Sequence, residues 1–151
     1  MSISIALHLL SAVIWVGGMI FAHNSLRPAA VQVLEPPLRL ELWVQVFRRF
    51  FVLVWLSIVI LLGSGYWMLF TYFGGFAGAG LHIHIMHGAG LLMVMIYLHV
   101  YFAPYRRLRQ AVIIQDYPLA GAQLNRIRKL VGINILIGLL VITVASGGRY
   151  I

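Results

Sequence analysis

Four long apolar runs determine what this chain can fold into. They extend from about Ile3 to His23, Phe50 to Phe73, Leu81 to Phe102 and Leu130 to Ser146. A membrane-spanning helix needs about 20 apolar residues, and each run reaches or approaches that length. Only 9% of the residues are charged, whereas a soluble domain of this size carries about 25%. The sequence therefore predicts an all-α integral membrane four-helix bundle, a single domain formed by residues 1–151 and surrounded by the lipid bilayer.

The basic residues are divided unevenly between the two sides of this bundle. Ten of the 11 Lys and Arg residues lie in the first and third links between the runs, and only Arg149 lies on the other side. Basic links are retained on the cytoplasmic side of a membrane. We therefore expect both termini on the opposite, outer side. The same rule accounts for the net charge of +8, so nucleic acid is not an expected partner.

The two basic links carry some predicted structure of their own. An amphipathic interfacial helix from Leu38 to Phe47 is expected to lead into the second run. The third run is expected to stop at Pro104, and a short helix is expected to start at Asp116 within the third link.

The absence of cysteine limits the available metal chemistry. It excludes disulfides, iron–sulfur clusters and covalently attached c-type haem. The three acidic residues, Glu35, Glu41 and Asp116, all lie outside the apolar runs. A metal within the membrane would therefore be held by histidine, methionine or backbone atoms. No phosphate loop or nucleophile–base pair predicts hydrolytic or phosphoryl chemistry.

All six histidines lie on, or at the mouth of, the first and third runs. Ionisable side chains at membrane depth are rare and usually face a bundle interior, a cofactor or a proton path. His8 and His23 are 15 residues apart, and so are His84 and His99. In an α-helix this spacing corresponds to roughly 22 Å and an angular offset of about 60°. Each pair is therefore predicted to lie on similar faces at opposite membrane depths.

Two cross-helix histidine pairs follow if the first and third runs pack side by side. The outer pair is His8 with His84 or His87, and the inner pair is His23 with His99. Paired imidazoles at two depths of a four-helix bundle are typical of proteins with two b-type haems. The predicted axial ligands are His8, His23, His87 and His99, with His84 open as the alternative outer ligand. On the cytoplasmic side, Arg27, Arg48 and Arg106 are predicted to meet the haem propionates.

Each histidine also has a simpler interpretation. His82 fits a plain interfacial residue in a glycine-rich loop, and His23 lies where a run leaves the membrane, so its side chain can reach water. His99 fits the aromatic belt at the membrane surface. For His8 and His87 the alternative is a hydrogen bond between helices.

Methionines accompany the histidines in the apolar runs. Thioether and imidazole groups together suit Cu(I), but methionine is also an ordinary gap-filler in apolar helices. Both interpretations stay open for Met19, Met68, Met86, Met93 and Met95.

Several segments together resemble a known family. They are LHLLSAVIWVGGMIFAH in the first run, SLRPAA after it, HIHIMHGAGLLM and HVYFAPYRRL in the third, and LNRIRKLVGINILIG at the start of the fourth. They resemble the copper resistance protein D superfamily, in particular its short four-span members from proteobacteria. The resemblance covers nearly the whole chain. It implies copper uptake or resistance at a bacterial inner membrane, with the termini in the periplasm.

A more distant similarity is to the haem-dependent bacterial protoporphyrinogen oxidase. It is carried by His8, Trp15 and Gly17 and implies oxidation of a porphyrinogen.

Three functions are therefore hypotheses at this point. The preferred one is transmembrane electron transfer by a di-haem b-type protein, with a quinone or a redox protein as partner. The second is copper handling, in which His84, His87 and methionines of the third run form an outer copper site. The third is porphyrinogen oxidation. Whether the protein is an oxidoreductase enzyme stays open, and a homodimer is compatible with the sequence.

Overall fold

The computed structural model describes residues 2–148, which form four long helices in sequence. They are α1 (Ser2–Val33), α2 (Pro36–Tyr72), α3 (Leu81–Ile113) and α4 (Tyr117–Gly147). Each helix contains a stretch that is long and apolar enough to cross a membrane. The prediction of an all-α protein with four spans is thus confirmed.

The helices extend well beyond the apolar runs, so the links are shorter than predicted. The expected interfacial helix from Leu38 to Phe47 is the first part of α2. The helix expected at Asp116 is the first part of α4, and the Asp116 side chain caps it by accepting a hydrogen bond from the Leu119 amide at 3.1 Å. Gln115 makes the turn before this cap with a positive φ of 57°.

The helices are longer than a bilayer is thick. At 1.5 Å per residue, the 37 residues of α2 measure about 55 Å, whereas the hydrocarbon core is about 30 Å thick. The additional turns carry Arg27, Arg39, Arg106 and Arg128, and we call this end of the bundle the basic end. We call the other end the loop end. It contains the start of α1, the end of α4 and the link between α2 and α3.

The side of the membrane that each end faces remains a prediction. The positive-inside rule predicts that the basic end is in the cytoplasm. Arg149, the one basic residue expected on the other side, lies outside the described residues.

Three π-helical turns interrupt the regular winding of α1 and α3. They are Val13–Gly17, Ala22–Leu26 and Tyr101–Tyr105. A proline within a helix lacks an N–H donor, and its ring clashes with the carbonyl group four residues earlier. Pro28 lies two residues after the second turn and Pro104 lies within the third. The wider turn accommodates Pro104, so α3 does not stop there as predicted and continues for two further turns.

The predicted histidine pairs required the first and third runs to pack side by side, and the helices are arranged differently. Helix α1 packs along α2, α3 packs along α4, and α4 also contacts α1. The backbone of α2 also approaches that of α3 at the basic end, and it contacts α4. Helices α1 and α3 are therefore diagonal rather than side by side, and they meet through side chains such as Trp15 and Tyr97, whose rings are 6.2 Å apart.

The tightest packing lies in the half of the bundle toward the basic end. Leu108, Ala111 and Ala120 have no exposed surface there. Next to them, a series of aromatic rings joins α2 to α3, and we call it the aromatic seam: Phe47, Phe51, Tyr97, Tyr101 and Tyr105. Neighbouring rings in the seam are 4.9 to 6.0 Å apart.

The half toward the loop end contains few buried side chains. In α1 before Ala12 only Ser11 is buried, and in the last two turns of α2 only Leu69 is buried. The two helix pairs diverge here and enclose a cavity. Large apolar side chains on the outside of all four helices are exposed, which is the surface that a bilayer would cover.

At Gly138, in the middle of the bundle, α4 packs closely against α1 and α3. A Cβ atom at this position would lie 2.9 Å from Val16 Cγ2 and 3.2 Å from Met93 Cε. We expect Gly138→Ala to destabilise the protein by about 1–3 kcal/mol, because both neighbours must move.

The measurement is the midpoint of thermal unfolding in detergent, with Gly88→Ala in α3 as the control. No atom lies within 4 Å of a Cβ at Gly88, and both variants gain the same helix propensity, about 1 kcal/mol. Equal midpoints for the two variants would contradict the close packing described here.

Candidate functional site

A cavity of about 410 Å³ lies between the diverging helices in the loop-end half. This volume is within the range of roughly 300–1,000 Å³ that is usual for ligand sites. We call it the loop-end cavity. Its walls are mainly apolar, and its lining includes three imidazoles and three thioethers, which belong to His8, His82, His87, Met68, Met86 and Met93.

His8 forms a hydrogen bond to α2. Its Nδ1 atom is 2.9 Å from Ser64 Oγ. Ser64 Oγ can donate to the Ile60 carbonyl at 2.6 Å or to the Leu61 carbonyl at 3.4 Å. When Ser64 donates to a backbone carbonyl it accepts from His8, which favours the tautomer with the proton on Nδ1 and the lone pair on Nε2. Gly65 allows this close approach, since a Cβ there would be 3.3 Å from His8 Cε1.

His87 lies between two aromatic rings on the other side of the cavity. Its ring centroid is 5.5 Å from that of Tyr66 in α2 and 5.1 Å from that of Phe76 in the link. Among the described residues, neither ring nitrogen of His87 has a hydrogen-bond partner. His87 is therefore a lining residue with unused ligand capacity.

The structure separates His84 from His87, which the sequence left as alternatives. His84 is exposed, and its ring stacks on Phe76 at 6.0 Å. It does not line the loop-end cavity, whereas His87 does. Of the two, His87 is the one that shares a cavity with His8.

His82 is a lining residue that the sequence analysis set aside. It lies in the first turn of α3 rather than in the loop, and it lines the loop-end cavity. His82, Met86, Gly90 and Met93 are spaced so that they share one face of a helix. This spacing is the sequence pattern from which His82 could have been predicted as a lining residue. This face lines the cavity.

The predicted inner pair, His23 and His99, is not brought together. His23 lines a second cavity of about 290 Å³ at the basic end, which we call the basic-end cavity. It faces α4, where a Cβ at Gly132 would be 3.6 Å from its Cε1 atom. His99 is exposed on α3 and does not line this cavity.

A π turn at Val13–Gly17 lies between His8 and His23. It contains one extra residue, which changes their angular offset from about 60° to about 40° in the opposite sense, so the two histidines stay on similar faces. They have different neighbours because the first part of α1 packs along α2, whereas its later turns contact α4. His8 therefore meets α2 and His23 meets α4.

The arginines predicted to meet propionates are also separated. Arg27 lines the basic-end cavity, whereas Arg48 and Arg106 are exposed and line neither cavity. Arg39 and Arg128, which were not predicted as site residues, line the basic-end cavity with Arg27.

The donor set of the loop-end cavity is mixed nitrogen and sulfur. No three His, Asp or Glu side chains within residues 2–148 are grouped so that they alone could hold a metal ion. A metal in this cavity would therefore combine imidazole with thioether ligands, a set that suits Cu(I).

Comparison with protein families matches residues 44–147 to copper resistance protein D. The chain belongs to the copper resistance protein D family. The match begins in the first part of α2 and ends with α4, so in this family member it includes His82, His84, His87 and His99 but not the two histidines of α1. The comparisons with curated proteins and with solved structures give no match.

The hydrogen bond from His8 to Ser64 predicts a single tautomer. In protein labelled with ¹⁵N at histidine, we expect the His8 signal to show a protonated Nδ1 and an unprotonated Nε2 at a pH where the ring is neutral. Ser64→Ala removes the acceptor, and we expect a mixture of tautomers in that variant. Ser64→Thr, which keeps a hydroxyl group, is the control. An Nε2-protonated ring in the unaltered protein would contradict the assignment.

Proposed function

We propose that this member of the copper resistance protein D family binds copper in the loop-end cavity and handles it as cargo within the membrane. The observation that carries the proposal is the convergence of imidazoles and thioethers from three helices on one apolar space. Soft thioether ligands select Cu(I), and imidazole also suits copper. The family to which the chain belongs is named for copper resistance.

Each proposed ligand has a physical reason for its role. His8 offers a lone pair on Nε2, and Ser64 orients its ring through the Nδ1 hydrogen bond. Such outer hydrogen bonds fix the tautomer and raise the basicity of a metal-ligating histidine. His87 offers the second imidazole, and Met86 from the same helix offers a thioether.

The packing of the bundle supports access from the loop end. The aromatic seam fills the interior between the loop-end cavity and the basic end. Copper would therefore be received from the loop end, which the positive-inside rule predicts to face the periplasm.

Copper binding can be tested by titration. We expect the anaerobic, detergent-purified protein to bind one Cu(I) per chain in competition with a chromophoric Cu(I) chelator. His8→Ala and His87→Ala each remove a ligand, and we expect each to lower the affinity by at least about a hundredfold, because changing only the hydrogen-bond partner of a metal ligand already costs about 10–100-fold.

His84→Ala is the matched control, because His84 is exposed on the same helix as His87 and lies outside the cavity. We expect it to bind Cu(I) as the unaltered protein does. Equal affinities in all three variants, or no bound copper at all, would remove the proposal.

A second candidate function is supported by the same two histidines. His8 from α1 and His87 from α3 line one apolar cavity, which is the outer half of the arrangement expected for b-type haem. They would be the axial ligands of one haem, which supplies one-electron chemistry when bound. The separation of His23 from His99 favours one haem over two. Electron exchange with a quinone or redox protein, and porphyrinogen oxidation, would both depend on this site.

An optical spectrum distinguishes the two candidates. For the haem candidate we expect a reduced α-band and about one haem per chain in protein expressed with ample haem, lost in His8→Ala and His87→Ala. His99→Ala is the control and is expected to keep the band, because His99 is exposed on α3. A featureless spectrum would exclude haem. Accumulation of porphyrin in a strain that lacks the protein would indicate the oxidase activity.

A further inference from the structure

The basic-end cavity contains an unusual concentration of positive charge. It is formed by the last part of α1, the first part of α2 and the first half of α4. Arg27, Arg39 and Arg128 line it together with His23. No acidic side chain of the described residues lines it, and no ion pair neutralises any of these three arginines within the described part of the chain.

Three partly buried cations around one space repel each other. Arginine stays charged at any physiological pH, so loss of a proton cannot relieve the repulsion. The interaction between like charges is also stronger near a protein interior than in water. A bound anion would relieve it, and the planar guanidinium group is suited to bidentate contacts with phosphate oxygens.

The cavity also has an apolar wall. Its apolar lining includes Val31, Leu40, Trp43, Phe47 and Val131. A free inorganic anion would gain nothing from this wall. A molecule with an anionic head and an apolar tail would contact both the arginines and the wall, so the lining indicates an amphiphile.

The location of the cavity identifies the class of amphiphile. It lies where the helices leave the apolar runs at the basic end. Basic pockets between transmembrane helices on the cytoplasmic side recognise anionic lipid headgroups. We infer that the basic-end cavity binds the phosphate of an anionic phospholipid, with the acyl chain along the apolar wall. This inference does not depend on copper or haem in the loop-end cavity.

Lipid binding can be measured by native mass spectrometry of the detergent-purified protein, with dioleoylphosphatidylglycerol as the anionic probe and dioleoylphosphatidylcholine as the zwitterionic one. We expect phosphatidylglycerol to bind at least tenfold more tightly. Arg128→Gln is expected to lower its affinity about fivefold, since each basic residue near a membrane surface contributes about 1 kcal/mol of attraction. Replacing Arg27, Arg39 and Arg128 together by Gln is expected to lower it about a hundredfold.

Arg126→Gln is the matched control for this series. Arg126 is on the same helix, two residues from Arg128, and is exposed outside the cavity. We expect its affinity for phosphatidylglycerol to be unchanged. Arg128→Lys, which keeps the charge, shows whether charge alone or the guanidinium fork is needed, and circular dichroism confirms that each variant is folded.

Two results would overturn the inference. One is equal affinity for the two lipids, and the other is an equal effect of Arg126→Gln and Arg128→Gln in folded protein. Inorganic phosphate serves as a competitor: we expect millimolar phosphate to leave the lipid complex intact. Complete displacement by phosphate would identify the site as one for a free anion and would reject the lipid.

Discussion

The contact between α2 and α3 through the aromatic seam is the interaction on which the rest of the bundle depends. Tyr97 is central to it: its ring contacts Phe51, Trp55 and Trp15, and its hydroxyl group donates to the Phe51 carbonyl at 3.1 Å. A phenol hydroxyl in an apolar interior needs such a partner, because no water is available there. Each aromatic pair contributes about 0.5–1.5 kcal/mol beyond the burial of its surface. The seam therefore fixes the spacing of helices that are joined at their other end only by a glycine-rich link.

This fixed spacing has different effects in the two halves of the molecule. Toward the basic end α2, α3 and α4 converge, and side chains such as Leu108 are completely buried between them. Toward the loop end the pair α1–α2 and the pair α3–α4 are free to separate, and His8 and His87 face the space between them. The loop-end cavity is thus a consequence of where the aromatic residues lie in the sequence.

Hydropathy was sufficient to predict the four spans, because the bilayer imposes its length on any apolar helix. It was not sufficient to predict that the helices expected from Leu38 and from Asp116 are continuous with the second and fourth spans. Pro104 was expected to end a helix, and the π turn that accommodates it has no sequence signal beyond the proline itself. The pairing of His23 with His99 assumed that α1 and α3 pack side by side, and residue spacing cannot show which helices are neighbours; the structure places only His23 at the basic-end cavity. His8 and His87 were favoured as ligands because they lie deep in their spans, and both line the loop-end cavity. Their role as ligands stays a prediction.

The uneven burial along the bundle has a consequence for its motions. Regions with few buried contacts open at a lower free energy than the packed core, in units that behave cooperatively. The loop-end half, in which Ser11 and Leu69 are among the few buried side chains, forms such a low-energy unit, and the basic-end half forms a more stable one. Amide hydrogens in the first turns of α1 and α3 would then exchange with solvent long before those around Leu108. A ligand bound in the loop-end cavity would stabilise this half selectively and slow that exchange.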